Sequence, residues 1–205
     1  MIEGPAIILA GGLARRMGGG DKALLPLNGR PLLAHVIAQL APQAGAIAIN
    51  ANGDPARFAA FGLPVLADPV ADYPGPLAGI LAGLRWAAAA GAPDVVSVAA
   101  DTPFFPADLV VRLRAAAADA CAPIALAATP DPARGVARHP TFGLWSTALA
   151  DDLAEALAGG TRKIVAWTDR HGAATALFDA PGDPFFNLNT PDDLARAQML
   201  TDAGS

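Results

Sequence analysis

Short runs of β-branched and aliphatic residues alternate along the chain with longer Ala/Leu-rich segments, the pattern of βαβ units. Residues 6–10 (Ala-Ile-Ile-Leu-Ala) read as a first strand and 31–40 as a helix with proline in its first turn. Ala46–Asn50 reads as a second strand, Pro55–Phe61 as a short helix, 65–67 as a brief strand and 76–90 as a long helix. The most strand-like run is 94–100, where Val95, Val96 and Val98 lie between Pro93 and Asp101-Thr102-Pro103. Residues 106–118 read as a helix. Further strands are expected near 124–128, 141–144 and 174–178, and further helices near 147–157, near 162–170 and from Pro191 onward. The stretch 129–140, rich in Pro, Arg and Ala with little periodicity, reads as a surface loop. Because the strands do not alternate apolar with polar residues, both faces should be buried, which predicts a mostly parallel sheet flanked by helices. One α/β domain over 1–205 accounts for the chain.

Composition narrows this picture. The 205 residues are 53% hydrophobic with a net charge of -5, which excludes a disordered chain, and no basic run supports broad nucleic-acid binding. Alanine, at 50 residues, inflates the apolar total, and no uncharged apolar stretch reaches the roughly 20 residues of a membrane span. Met1-Ile2-Glu3-Gly4 carries no positive segment ahead of its apolar run, so no secretory signal is read and a cytoplasmic protein is expected. Cys121, the single cysteine, forms no internal disulfide and no cysteine-based zinc site, and reads as a small apolar filler.

In open parallel α/β sheets, ligands bind beyond the carboxyl ends of the strands. After the first strand, residues 11–22 hold five glycines, Arg15, Arg16 and Lys22, as a polyphosphate cradle requires: glycine lets backbone N–H groups approach an anion, and the cations neutralise it. The loop is neither a Walker A loop, since Ala23 follows Lys22, nor a GxGxxG fingerprint. Asp101 follows the best strand. It can hold Mg²⁺, which takes one or two carboxylates plus waters and phosphates, or cap the following helix or start a turn; its place opposite the glycine-rich loop favours the metal. Asn50 and Asp68 end two other strands. An aspartate acceptor suits the paired N1–H and N2–H₂ donors of guanine, although spacing alone prefers ordinary turn chemistry for both residues. Residues 72–79 (Asp-Tyr-Pro-Gly-Pro-Leu-Ala-Gly) lead into a helix N-terminus, a natural anion site. Thr190 with Asp193 reads as a helix start, leaving Asn187 and Asn189 for a ligand or metal. Arg162-Lys163 reads equally as a second anion site or a solvated helix start. His139 reads as a loop residue beside Arg134 and Arg138. Without GxSxG, and with serine only at 97, 146 and 205, hydrolase chemistry is poorly supported.

Leu9-Ala10-Gly11-Gly12, Arg16-Met17-Gly18-Gly19 and Asp21-Lys22 resemble the signature loop of sugar-phosphate-type nucleotidyltransferases. Together with residues 72–79, Asp101-Thr102-Pro103 and Asn187-Leu188-Asn189-Thr190-Pro191, the resemblance narrows to the molybdenum cofactor guanylyltransferase (MobA) family and spans nearly the whole chain. It implies a Rossmann-like fold of the nucleotide-diphospho-sugar transferase type that joins GMP from GTP to molybdenum-molybdopterin, releasing pyrophosphate, with Mg²⁺ as cofactor. Carried over by position, Leu9, Ala10, Gly11, Gly12 and Lys22 would bind the GTP phosphates, Asn50 and Asp68 the guanosine, and Asp101 both GTP and Mg²⁺. Lys22, Arg16 and Asp101 would be the catalytic set, and Arg162, Asn187 and Asn189 would lie on the pterin side. Expected partners are GTP, the pterin substrate and transient pterin-delivering or acceptor proteins, with no nucleic acid, no membrane and a monomeric chain. The alternatives are a molybdopterin cytidylyltransferase, a nucleotidyltransferase acting on a sugar or polyol phosphate, and a non-catalytic GTP-binding cofactor-delivery module.

Overall fold

A computed structural model describes residues 4–11, 21–70, 75–179 and 182–202. Its strands are β1 (Pro5–Leu9), β2 (Pro26–Leu27), β3 (Arg30–Pro31), β4 (Ala46–Asn50), β5 (Val65–Leu66), β6 (Asp94–Ala99), β7 (Ile124–Asp131), β8 (Gly135–Ser146) and β9 (Ala174–Leu177). Its helices are α1 (Leu32–Leu40), α2 (Pro76–Ala89), α3 (Leu109–Asp119), α4 (Ala150–Ala158), α5 (Ile164–Thr168) and α6 (Pro191–Asp202). Seven strands form one sheet in the order β5-β4-β1-β6-β8-β7-β9. The pairs β5/β4, β4/β1, β1/β6 and β7/β9 are parallel, and only β8 runs against its neighbours β6 and β7. The sheet is mostly parallel, as the unalternating strands predict.

Apolar side chains of β1 point alternately into two cores. Ala6 and Ile8 join Leu33 and Val36 of α1 and Leu113 of α3 on one face; Ile7 joins Leu81 and Leu84 of α2, Leu153 of α4 and Trp167 of α5 on the other. Burial of each such aliphatic side chain contributes about 1.5–3 kcal/mol, which is why a strand covered on both faces carries no polar positions. Helix α2 lies unusually close to the sheet. A Cβ on Gly83 would sit 2.8 Å from Ile7 Cγ2, and one on Gly79, a turn earlier on the same face, 2.1 Å from Asn50 Oδ1. A third apolar cluster, of Leu27, Leu32, Phe186, Leu188 and Ala197, fastens α6 and the preceding segment to the β2–β3 hairpin.

The expected surface loop at 129–140 is instead the outer part of the β7–β8 hairpin, whose tip is closed by the Asp131 side chain accepting from the N–H groups of Ala133 and Arg134, each at 2.9 Å. Its far end projects into solvent, so the apolar periodicity that betrays a strand is missing, while backbone pairing persists from Ala128↔Arg138 to Asp131↔Gly135. His139 accordingly lies in a strand, opposite Ala127. The expected strand at 141–144 is the inner half of β8. Between Leu126↔Gly143 and Ala127↔His139 the register jumps, leaving Pro140, Thr141 and Phe142 as a wide bulge. Ser97 pins this bulge: its hydroxyl donates to the Thr141 carbonyl and accepts from Trp145 Nε1, both at 2.8 Å. Pro55–Phe61 forms a 3-10 helix, capped by Asp54 and ended by Gly62 at φ 64°. Among the described residues no helix is long and apolar enough to cross a membrane.

Candidate active site

The parallel strands β5, β4, β1 and β6 all end at one cavity of about 870 Å³. Backbone bonding carries the strand register into its floor: Ala10 N–H donates to the Asn50 carbonyl at 2.8 Å, Ala100 N–H to that of Leu9 at 3.1 Å, and Ala51 N–H to that of Leu66 at 3.0 Å. Leu9, Ala10, Gly11, Lys22, Asn50, Asp68, Asp101 and Asn187, all expected site residues, line this cavity. Gly75 and Pro76 bring the N-terminus of α2 to its wall. Gly12, Arg16 and residues 72–74 lie outside the described residues.

One end of the cavity is built from the exits of β4 and β5. Asn50 is buried, and its amide donates to the Leu66 carbonyl at 3.1 Å and to Asp68 Oδ1 at 2.9 Å. Asn52 makes a reciprocal pair with Asp68: its amide donates to Oδ2 at 2.7 Å, and Asp68 N–H donates to its Oδ1 at 2.9 Å. The carboxylate is held by a donor on each oxygen, and an ionised, doubly anchored carboxylate is a fixed acceptor for paired N–H donors. Gly79 makes room for this arrangement, since any side chain there would displace Asn50.

At the other end, Lys22, buried after the glycine-rich segment, places Nζ 2.6 Å from Asp101 Oδ2 and 2.5 Å from Asn189 Oδ1. Asp101 Oδ1 meets the Thr102 hydroxyl at 3.2 Å, and that hydroxyl also donates to Asn187 Oδ1. Leu188 N–H donates to the Asp101 carbonyl at 3.0 Å, which docks the Asn187–Asn189 segment alongside the exit of β6. The Thr190 hydroxyl accepts from Asp193 N–H at 3.2 Å, while Asp193 Oδ2 accepts from the N–H groups of Asn189 at 2.9 Å and Thr190 at 2.8 Å, the reciprocal cap that the sequence predicts. The Thr190 side chain and these N–H groups hold the Asp193 carboxyl below its ordinary value. Phe185, two residues before Asn187, stacks on His139 at 4.4 Å between ring centres, and burial lowers the His139 pKa against the opposing pull of Asp183.

Arg162 is exposed and stands beside the cavity, its carbonyl 4.0 Å from where a Gly75 Cβ would lie, without lining it. Asn52 lies in none of the motifs read from the sequence, and Thr102 and Gly79, though within the Asp101-Thr102-Pro103 and 72–79 motifs, carry no role of their own there. Asn52 follows Asn50 by two residues, the spacing that returns a side chain to the same side of an extended chain, and this was the available signal. The described residues contain no cluster of three or more metal-ligating side chains. One carboxylate at Asp101, completed by water and phosphate oxygens, is a donor set that suits Mg²⁺.

Residues 6–174 match the family model of the MobA-like NTP transferase domain. A molybdenum cofactor guanylyltransferase of Rhodopseudomonas palustris (strain BisB5) is 54% identical over 201 residues, covering 96% of this chain and 93% of that protein. One from Mesorhizobium japonicum is 50% identical over 201 residues, covering 95% and 94%. Among solved structures, the molybdopterin-guanine dinucleotide biosynthesis protein A of Archaeoglobus fulgidus superposes with a TM-score of 0.76 at 24% identity, covering 97% of this chain and 99% of that one. A CMP:2-keto-3-deoxy-manno-octonic acid synthetase complexed with CTP gives 0.74 at 14% identity, covering 99% and 100%. These structures share its fold, and with the family model spanning most of the strands that build the cavity, this chain belongs to the MobA-like NTP transferase family.

Proposed function

We propose that this protein is a molybdenum cofactor guanylyltransferase, a cytoplasmic enzyme acting as one nucleotidyltransferase domain, which transfers GMP from GTP to molybdenum-molybdopterin and releases pyrophosphate. The observation that carries the assignment of roles is the meeting of Lys22, Asp101 and Asn189, distant in the chain, at one end of a cavity whose other end is the Asn50–Asp68–Asn52 network. Two relatives sharing half or more of its residues carry that activity in their names. Asp68 would accept from the N1–H and N2–H₂ donors of guanine, with Asn50 holding its carboxylate. Leu9, Ala10, Gly11 and Gly12 would bring backbone N–H groups to the triphosphate, and Lys22 and Arg16 would neutralise its oxygens.

An oxygen of the pterin's terminal phosphate forms the new bond to the α-phosphorus of GTP as the bond to pyrophosphate breaks. Positioning and charge stabilisation supply most of the catalysis, and no protein nucleophile is needed. Asp101 would hold Mg²⁺, which when bound neutralises charge on the phosphate oxygens. Lys22 would move from Asp101 and Asn189 to the phosphates, leaving the asparagine amides, with Asn187 and Arg162, facing the pterin side. Calorimetric titration with GTP, CTP and ATP, each with Mg²⁺, tests this reading on the wild type and on Asp68→Ala. Selective GTP binding that the variant loses is the expected result. Preference for CTP would make the protein a cytidylyltransferase, and tight GTP binding with no pyrophosphate release in the presence of pterin and Mg²⁺ would make it a delivery module.

A further inference from the structure

Arg57 lies outside the cavity lining, in the 3-10 helix Pro55–Phe61, yet it touches Asn52 of that lining and Asp21, the residue before Lys22. Its Nε is 2.7 Å from Asp21 Oδ2, in an ion pair whose side chains are only 29% and 18% exposed. Its Nη2 donates to the Asn52 carbonyl. Asp21 immediately precedes Lys22, whose ammonium sits on Asp101; Asn52 is the residue that clamps Asp68 from two directions. One guanidinium thus joins the residue beside the phosphate-binding lysine to the residue that holds the base-reading carboxylate. Gly53 leaves space for this crossing: its φ is +85°, and a Cβ there would lie 2.9 Å from Arg57 Nη1.

We infer that Arg57 is a positioning residue that fixes the base-binding and phosphate-binding ends of the nucleotide site relative to one another, so that affinity and base selectivity depend on a side chain that never meets the nucleotide. The inference rests on the reading of the Asn50–Asp68 end as the base site. The chemistry favours arginine: a rigid planar guanidinium can set its charge against a carboxylate while donating to a carbonyl, which a lysine ammonium on a flexible stem does not do in fixed geometry. The pair with Asp21 is a partly buried ion pair in which Nε is not aligned for a hydrogen bond, and the bond to the Asn52 carbonyl is an exposed, charge-assisted one; together they link the two segments.

The test is calorimetric titration of Mg²⁺-GTP and Mg²⁺-CTP into the full-length wild type, Arg57→Ala, Arg57→Lys, Asp21→Asn and the Arg57→Ala/Asp21→Asn double variant, with a melting curve for each. Arg57→Ala should bind GTP roughly tenfold more weakly and lose several-fold in GTP:CTP affinity ratio, with Arg57→Lys recovering GTP affinity only in part. The double variant should bind GTP about as Arg57→Ala does, because the two residues act through one contact. GTP affinity within twofold of wild type in folded Arg57→Ala overturns the inference, as does an equal loss for both nucleotides accompanied by a lowered melting temperature, the mark of a merely structural role. Should Arg57→Ala fail to fold, unchanged GTP affinity in folded Asp21→Asn overturns it equally. A wild type without GTP preference overturns the base-site reading and this inference with it, and that failure shows before any variant is compared.

Discussion

The two ends of the cavity hold their polar groups in opposite ways. At the Asn50–Asp68–Asn52 end the side chains bond to one another and to backbone carbonyls, and Asp68 is gripped on both oxygens and through its own N–H. At the Lys22–Asp101–Asn189 end two opposite charges satisfy one another at 2.6 Å, and both are groups that a triphosphate and a divalent cation would claim. A fully cross-bonded network discriminates because a ligand must match donors and acceptors that cannot turn. A self-neutralising pair discriminates little, but it keeps a buried lysine and a carboxylate satisfied until charged substrate exchanges partners with them. On the proposed reading, recognition and charge stabilisation are thereby separated along one pocket.

The sharpest way to break the contrast is at the charged end. Lys22→Ala and Asp101→Ala should each lower pyrophosphate release by about 10²–10³-fold, the usual cost of losing one group that stabilises transition-state charge. Each change also strips the partner from a partly buried ion pair, so the melting temperature should fall while the fold is kept, and near-normal turnover by either folded variant would remove it from the catalytic set. Asp68→Ala should act on selectivity instead, costing roughly 1–3 kcal/mol of preference for GTP over CTP, the scale of one good paired base contact. Competition titrations read this directly, and an unchanged ratio would deny Asp68 the base.

Gly79→Ala sharpens the contrast by pushing a methyl group into Asn50 without removing any polar group of the site. About 1–3 kcal/mol of stability should be lost to overpacking, with weaker GTP binding, as read by thermal melting and calorimetry together. The smallest effect concerns His139, whose stacking on Phe185 supports the segment before Asn187. Burial lowers its pKa from 6.5, so on acidification the unfolded chain takes up the proton before the folded protein does. Its stabilising contribution is complete above pH 6.5 and is lost as the pH falls from there toward the lowered folded value. Melting temperature should decline over that window in the wild type and less in His139→Phe. Equal slopes would show that another group governs it.

Strands β1, β4 and β6, three of the four that end at the cavity, were legible because their mostly buried residues leave short aliphatic-rich runs, and because a polar residue closing such a run, as at Asn50 and Asp101, falls at a strand's carboxyl end. The inner halves of the β7–β8 hairpin, near 124–128 and 141–144, were legible, but its outer half was not, since it is exposed and Pro140, Thr141 and Phe142 interrupt the register. The β2–β3 turn carried a readable signal in Asn28-Gly29, both with positive φ of 47° and 75°, but two-residue strands give no periodicity to frame it. Arg57 was invisible for a different reason: its role depends on Asp21 and Asn52 meeting in space, which no local pattern encodes.

The docking of Leu188 on Asp101 also has a temporal meaning. On the ribosome, the strands that floor the pocket emerge long before the segment bearing Asn187 and Asn189, which lies 167 positions beyond Lys22 at its point of contact. A nascent chain can therefore complete the parallel strands while the charged end still lacks its amides, and on the proposed reading the site is closed only once the Asn187–Asn189 segment has been made.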